Sequence, residues 1–307
     1  MSAARSGRAP GNDARRRRDS GRLPWLDWMA MPTAGALAIV VGYPIVYTIV
    51  LSVQDYNLLA VEPARFVGAE NYRHLLRDPT FWQSLLHTAV YTFGSVGVAV
   101  VLGLALALLT ETHARPRLRF LRALLLTPWA VPFVVVAFLF RYMYLQNGGA
   151  INALLLSGGV IGEPVSWLNM SALALPAVMV ANVWAMTPFF FLLLTAALAG
   201  IPNEVIESAR IDRAQTWSLI VHIKLPFLRN ALLISSLLMI IANFNDFAKI
   251  WAMTQGGPGY STTTLVIYVY RQAFENFAFG YASAIGVVWL ALLLVFALAY
   301  LRALRMD

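Results

Sequence analysis

The polar side chains best placed to do chemistry in this chain sit inside apolar runs. One run reads Ala181-Asn182-Val183-Trp184-Ala185-Met186-Thr187-Pro188; another reads Asn243-Phe244-Asn245-Asp246-Phe247 and then Lys249. A polar group in an apolar surround costs free energy unless it is bonded, so each of these residues is informative. The chemistry open to them is non-covalent: recognition of a bound molecule, or hydrogen bonds from helix to helix. Asn243 and Asp246 are three apart and share a helix face, whereas Asn182 and Trp184 diverge by roughly 200°. Only one of the latter pair can point straight at a ligand, and Asn182 is the expected one. Lys249, three residues after Asp246, can neutralise it on the same face.

Signatures of covalent or metal chemistry are missing from the sequence. It has no cysteine, and its four histidines (His74, His87, His113, His222) lack metal-ligand spacing. It has no G-x-S-x-G elbow and no G-x-x-x-x-G-K-[ST] loop to cradle nucleotide phosphates. The expectation is a protein that is not an enzyme, holds no metal and carries no cofactor of its own.

A second polar stretch, Ile201 to Pro226, interrupts the apolar second half. Ile201-Pro202-Asn203-Glu204 opens like a helix start, with an Asn cap or a Pro in the first turn and a carboxylate close behind. Val205, Ile206 and Ala209 make a short apolar stripe. Asp212-Arg213 breaks the turn, Trp217, Ile220 and Val221 repeat the stripe, and Pro226 is expected to end the second helix. Two small amphipathic helices between membrane-length runs suggest a docking element at a membrane surface.

The elements that position these residues follow from composition. Of 307 residues, 59% are hydrophobic and 12% charged, against roughly a quarter charged in soluble domains. Six apolar spans are expected, over about 28–53, 84–109, 123–144, 172–198, 228–253 and 282–301. Most of the 23 Lys and Arg residues then fall on one side, which is the positive-inside pattern and argues against nucleic acid as the partner of a chain of net charge +8. Both termini, the Arg115–Arg122 hairpin and the loop around Glu207 are thereby cytoplasmic. Residues 1–27 form an Arg-rich tail without apolar content, expected to be disordered, and residues 28–307 form the membrane domain. Gly94, Gly97 and Gly103 in the second span could let helices approach closely. The segment between the first two spans carries Asn71 to Leu86, read as a surface helix with a Pro break.

These residues carry a resemblance. Glu207-Ser208-Ala209, Asp212-Arg213-Ala214, Ile223 and Leu225-Pro226 resemble the EAA loop of binding-protein-dependent ABC importer permeases. Arg213 departs from that pattern, standing where the family has Gly. Thr254-Gln255-Gly256-Gly257-Pro258, then Thr262 to Thr264, Tyr270-Arg271-Gln272-Ala273-Phe274 and Gly280-Tyr281-Ala282-Ser283-Ala284, resemble the carbohydrate branch, and within it the larger permease of the maltose-type importer. The resemblance runs from about Trp28 to the C-terminus. It implies an all-α polytopic type I permease of a bacterial inner membrane, importing a sugar or oligosaccharide by alternating access. It implies as partners a second permease of different sequence, two ATP-binding subunits that hold ATP and Mg, an extracytoplasmic solute-binding protein and the lipid bilayer. Glu207, Ala209, Asp212, Arg213 and Ala214 are then the contacts to the ATPase. Asn182, Trp184, Asn243, Asn245 and Asp246 are the contacts to a sugar, whose apolar ring face suits an aromatic and whose hydroxyl rim suits amides. Two alternatives remain: a phosphorylated polyol such as glycerol phosphate as cargo, which calls for basic residues in the cavity, and an ion-coupled secondary transporter, which calls for several carboxylates in the spans where only Asp246 qualifies.

Overall fold

The computed structural model describes residues 24–61, 63–111 and 116–305. The tail of residues 1–23, with its Arg run, and the residues around His113 and Arg115 lie outside the described residues. Residues Met1–Val50 and Leu51–Asp307 form two compact units. In the first, helix α1 (Pro24–Leu37) passes through a π turn (Ala38–Gly42) into α2 (Tyr43–Ser52), which ends in the second unit. The helix thus begins at Pro24, four residues before the expected start at Trp28. Proline cannot donate the next helical hydrogen bond. Ahead of Pro44 the ladder widens, and the Tyr43 N–H bonds Ala38 O.

The second unit is almost wholly helical. A two-residue pair of strands, β1 (Gln54–Asp55) antiparallel to β2 (Arg65–Phe66), precedes α3 (Glu70–Arg77). Helix α4 (Pro79–Thr110) follows at once. Asp78 caps it, accepting from the Thr80 N–H at 2.8 Å, with Pro79 in its first turn. This is the expected surface helix with a Pro break, except that the second span starts five residues earlier than read. At 32 residues α4 is about 48 Å long, more than the hydrocarbon core of a bilayer. Burial raises the Asp78 carboxyl, but hydrogen bonds from Tyr268 and Tyr281 and from the backbone of Thr80 and Phe81 outweigh it and hold the group below its ordinary range. Because the folded value is depressed, this contribution is present above the ordinary carboxylate range and is lost as pH falls through the lowered value.

The third span is not one helix. Helix α5 (Pro116–Ala130) and α6 (Phe133–Met143) meet at 100°. Pro132 stands at the break with extended backbone, φ −55 and ψ 137. Next, α7 (Ala150–Ser157) leads to a loop stapled by buried Asn152. Its amide donates to Leu145 O, Gln146 O and Val165 O and accepts from the Val165 N–H and Trp167 Nε1–H. Helix α8 (Ser171–Ala199) is the fourth span. Helix α9 (Asn203–Ile211) lies in the polar stretch. Helix α10 (Thr216–Leu219) runs through a second π turn (Ile220–Lys224) into α11 (Leu225–Phe244). Pro226 therefore ends nothing: the π turn ahead of it absorbs its missing donor, as at Pro44, and the fifth span starts at Thr216. That span also breaks, at 245–247, before α12 (Ala248–Thr254). Helix α13 (Leu265–Tyr270), a third π turn (Arg271–Glu275) and α14 (Phe279–Arg305) complete the chain.

Five described helices are long and apolar enough to cross a membrane, and the bent α5–α6 pair makes six if it counts as one span. Two apolar clusters form most of the core. The first gathers Tyr91, Val136, Phe140, Val178 and Ile250 from α4, α6, α8 and α12. The second gathers Ala99, Ala107, Phe190, Leu194, Leu228 and Phe244 from α4, α8 and α11.

The crossing of α4 and α8 rests on Gly103. A Cβ there would lie 2.5 Å from Phe190 Cβ and 3.0 Å from the Phe191 backbone nitrogen, whereas one at Gly97 would meet nothing within 4 Å. Of the three glycines expected to permit close packing, Gly103 does so against backbone, Gly94 faces only the flexible end of Met179, and Gly97 is open. Gly103→Ala should therefore destabilise the protein by about 1–3 kcal/mol through overpacking, while Gly97→Ala should be neutral or gain up to ~1 kcal/mol of helix propensity. Thermal unfolding of the detergent-purified variants reads this directly, and equal midpoints for the two would refute the crossing.

Candidate functional site

Asn182 and Asn243 meet where the two apolar clusters adjoin. Along α8, Ala181 belongs to the first cluster and Met186 to the second, with Asn182 between them; along the fifth span Phe244 belongs to the second and Ile250 to the first. The Asn182 Nδ2 donates to Asn243 Oδ1 at 2.6 Å. Asn243 Nδ2 donates to Met239 O at 2.7 Å, one turn back on its own helix. Both side chains are buried, Asn182 completely. Asn182 Oδ1 is buried and has no partner among the described residues.

Asp246 lies in the break between α11 and α12. Its Oδ2 accepts from Tyr91 OH and pairs with Lys249 Nζ at 2.6 Å. The Lys249 ammonium also sits 4.3 Å from the centre of the Phe133 ring, at the start of α6. Asp246, Lys249 and Tyr91 are all buried. The neutralisation of Asp246 by Lys249 expected from their spacing is present. Neither Tyr91 nor Phe133 is legible as a partner from the sequence, because a hydroxyl or ring inside an apolar run does not announce what it touches.

The five residues expected to contact a ligand are thus divided. Asn182, Asn243 and Asp246 are buried against their own protein. Asn245 is exposed, its Nδ2 donating back to Ile241 O at 2.8 Å, and Trp184 is 38% exposed with its ring 5.6 Å from Phe140. The 182/184 divergence read from helix geometry holds, but the exposed member is Trp184. Asn182 faces α11 and spends its donor there.

The polar stretch makes a different kind of site. Helix α9 has no buried residue. Its N-cap is Pro202 with extended backbone, and no side chain bonds the helix start, so Asn203 does not cap; Glu204 lies in the first turn as expected. Ile211 is 81% and Trp217 73% exposed, large apolar surface beside Glu207, Arg210 and Asp212. Arg213 has φ +58, the left-handed region that a side chain occupies at a cost of about 1–2 kcal/mol. Asp212 N–H bonds Ser208 O, and Ala214 N–H bonds Ala209 O, closing the helix end around it. A cavity of about 400 Å³ lies under α9, lined by Asn203, Glu207, Arg210, Arg122 and the Glu111–Lys224 ion pair.

Comparison with known proteins gives one family and a set of relatives. Residues 99–306 match the family described as binding-protein-dependent transport system inner membrane component. The chain is 34% identical over 279 residues to the trehalose/maltose transport system permease protein MalF of Thermococcus litoralis, covering 90% of this chain and 92% of that one. It is 30% identical over 303 residues to the diacetylchitobiose uptake system permease protein DasB of Streptomyces coelicolor, covering 97% and 92%. Its fold matches a chain of a bacterial alginate ABC transporter solved with an alginate pentasaccharide-bound periplasmic protein, with TM-score 0.78 and 20% identity over 90% of this chain and 92% of that one.

The Asn182–Asn243 bond predicts non-additivity. Either amide alone, left by Asn182→Ala or Asn243→Ala, is a buried polar group without its partner. The double variant should cost less than the sum of the singles by about 0.6–2 kcal/mol, read from unfolding in detergent or nanodiscs. Simple additivity would dissolve the pair.

Proposed function

The chain belongs to the family of binding-protein-dependent transport system inner membrane components, and from that premise we propose that it is one half of the membrane channel of an ATP-driven importer of a sugar or oligosaccharide. The observation that carries the reading is the stretch from Ile201 to Pro226. An exposed amphipathic helix ends in a left-handed residue and is followed by a helix that continues into a membrane-length span. Such an element offers a partner an apolar and charged surface, and it is mechanically joined to the channel wall. Glu207, Ala209, Asp212, Arg213 and Ala214 are the contacts to an ATP-binding subunit. ATP and Mg belong to that partner, and this chain carries no cofactor. A second permease, two ATP-binding subunits and an extracytoplasmic binding protein complete the assembly.

The cargo is a saccharide. Relatives of this chain are named for trehalose/maltose and for diacetylchitobiose, and the exposed polar and aromatic groups near the helix breaks suit a ring that is apolar on its face and polar at its rim. Trp184 and Asn245 are the direct contacts. Asn182, Asn243 and Asp246 hold the helices that present them. Lys249, the one buried cation among the described residues, is spent on Asp246, which argues against a phosphorylated polyol.

Both termini and the stretch around Glu207 lie on the cytoplasmic side. The absence of cysteine makes single Cys substitutions clean reporters. An impermeant thiol reagent on intact cells should label Val160→Cys, in the exposed loop after α7, and not Ser208→Cys; the reverse pattern overturns the orientation. Coupling is tested in the reconstituted complex by binding-protein-stimulated ATP hydrolysis. Glu207→Ala should lower it severalfold while the permease still inserts. Arg213→Gly should hydrolyse normally and gain about 0.5–1 kcal/mol of stability by releasing left-handed strain. Undiminished hydrolysis and uptake in Glu207→Ala removes that residue from the contact.

A further inference from the structure

Six aromatic rings, none assigned a role above, form an unbroken run. Phe247, in the break after α11, stacks on Trp251 of α12 with centroids 5.3 Å apart and planes at 17°. Both meet Tyr270 at the end of α13, at 4.9 and 4.7 Å. Tyr270 lies 5.1 Å from Phe274, Phe274 6.0 Å from Phe279, and Phe279 6.0 Å from Tyr56 in the loop after β1. The run therefore joins the break in the fifth span to the segment between the first two spans.

Phe247 and Trp251 pack on the first apolar cluster, yet none of the six rings is sealed within it. Phe81, Phe190 and Phe191 are sealed in the interior, whereas all six of the run are partly exposed and Phe274 is 58% exposed. Polar side chains edge the run. Arg271 faces Glu275 at 3.7 Å, and Asn276 donates to Gln272 at 3.1 Å, all within the turn that carries Phe274. Exposed Asn245 stands two residues before Phe247. Such a rim suits a pyranose ring, whose C–H face lies on an aromatic face and whose hydroxyls reach polar edges. Neighbouring rings lie between 4.7 and 6.0 Å apart, so the run is continuous.

We propose that the Tyr56–Phe279–Phe274–Tyr270–Trp251–Phe247 run is a stacking track along which a saccharide passes between the extracytoplasmic segments and the break in the fifth span. The ligand class is a pyranose disaccharide or longer oligomer. The track rests on the sugar-importer reading and adds to it a path. Its rings act in succession, so each contributes to capture and none is the single binding determinant.

The test uses the assembled complex, reconstituted in liposomes with its ATP-binding subunits, second permease and binding protein. The probes are radiolabelled trehalose, maltose and diacetylchitobiose. Phe274→Leu and Trp251→Leu keep apolar volume but remove the ring, while Phe274→Tyr and Trp251→Phe keep a ring. The leucine variants should raise the half-saturation concentration for uptake roughly three- to tenfold, and the ring-keeping variants should recover most of that loss. If the native complex takes up none of the probes, the sugar reading and the track fall together. If it takes them up and the leucine variants match the native complex, the track alone falls. It also falls if the leucine and ring-keeping variants fail equally, which marks packing. Loss of assembly with the second permease in the leucine variants alone marks a subunit interface and likewise overturns the track.

Discussion

A carboxylate, an ammonium, a phenol and two amides buried among apolar helices must satisfy one another, and the arrangement of the second unit follows from that requirement. Asp246 accepts from Tyr91 of α4 and from Lys249, and Lys249 in turn lies over Phe133 of α6. Three residues before Asp246, Asn243 of α11 accepts from Asn182 of α8. Five helices are thereby tied at one level by groups that hydrocarbon would penalise if separated. The energy gained over a purely apolar core is small, since desolvation offsets much of the attraction. What the polar layer supplies is register: apolar faces slide over one another at little cost, but a displaced Asp246 leaves a buried charge alone.

The helical ladder is interrupted in several places, and the interruptions have separate causes. At Pro44 and Pro226 the missing donor is absorbed by a π turn that ends two residues before the proline, and the helix continues. At Pro132 it is not absorbed, the chain turns through 100°, and α6 departs in a new direction. At 245–247 no proline is present. There the carboxylate of Asp246 takes the Lys249 N–H, at 3.4 Å, in place of a backbone carbonyl, so the side chain competes with the helix for its own donors. The two short helices that follow these breaks, α6 and α12, pack on each other within one apolar cluster. Each of these two breaks leaves backbone polar groups outside the helical ladder.

How much of this the sequence disclosed depends on the range of the interaction. Runs of apolar residues longer than a bilayer is thick are a local property, and they place the first, second, fourth and sixth spans closely, whereas the fifth begins at Thr216, well before its expected start at 228, and the third is a bent pair. The start of α3, the Pro79 break, the charged stretch after Ile201 and the fold class are of that kind. The divergence of Asn182 and Trp184 followed from helix geometry alone. Which of the two would be buried did not, because it depends on where α11 lies, and no spacing within α8 encodes that. Tyr91 was illegible for the same reason: its partner is 155 residues away. The continuity through Pro226 and the bend at Pro132 show that proline marks a perturbation without saying whether the helix bulges or breaks. Packing against neighbours decides between them.

Arg213 illustrates how a departure from a pattern can still report the backbone. Where a resemblance placed Gly, the chain has Arg, and the backbone is left-handed there at φ +58 all the same. The conformation is therefore imposed from both sides of the residue, by the Ala214 to Ala209 closure of α9 and by the start of α10 three residues on. The strain is small against what the bend accomplishes. It sets exposed Ile211 and Trp217 on consecutive short helices, and the second of these is continuous through the π turn with α11 as far as Phe244. In the proposed importer, a push on α9 reaches the fifth span through the short connection 212–215. That span carries it to the break at 245–247, where Asp246 is held to α4 and Asn245 is exposed. A rigid rod from docking element to helix break is the shortest route by which an event on a partner subunit could alter the surroundings of a bound ligand. An Arg whose own geometry resists relaxation into a longer helix keeps the rod's end separate from the element that is pushed.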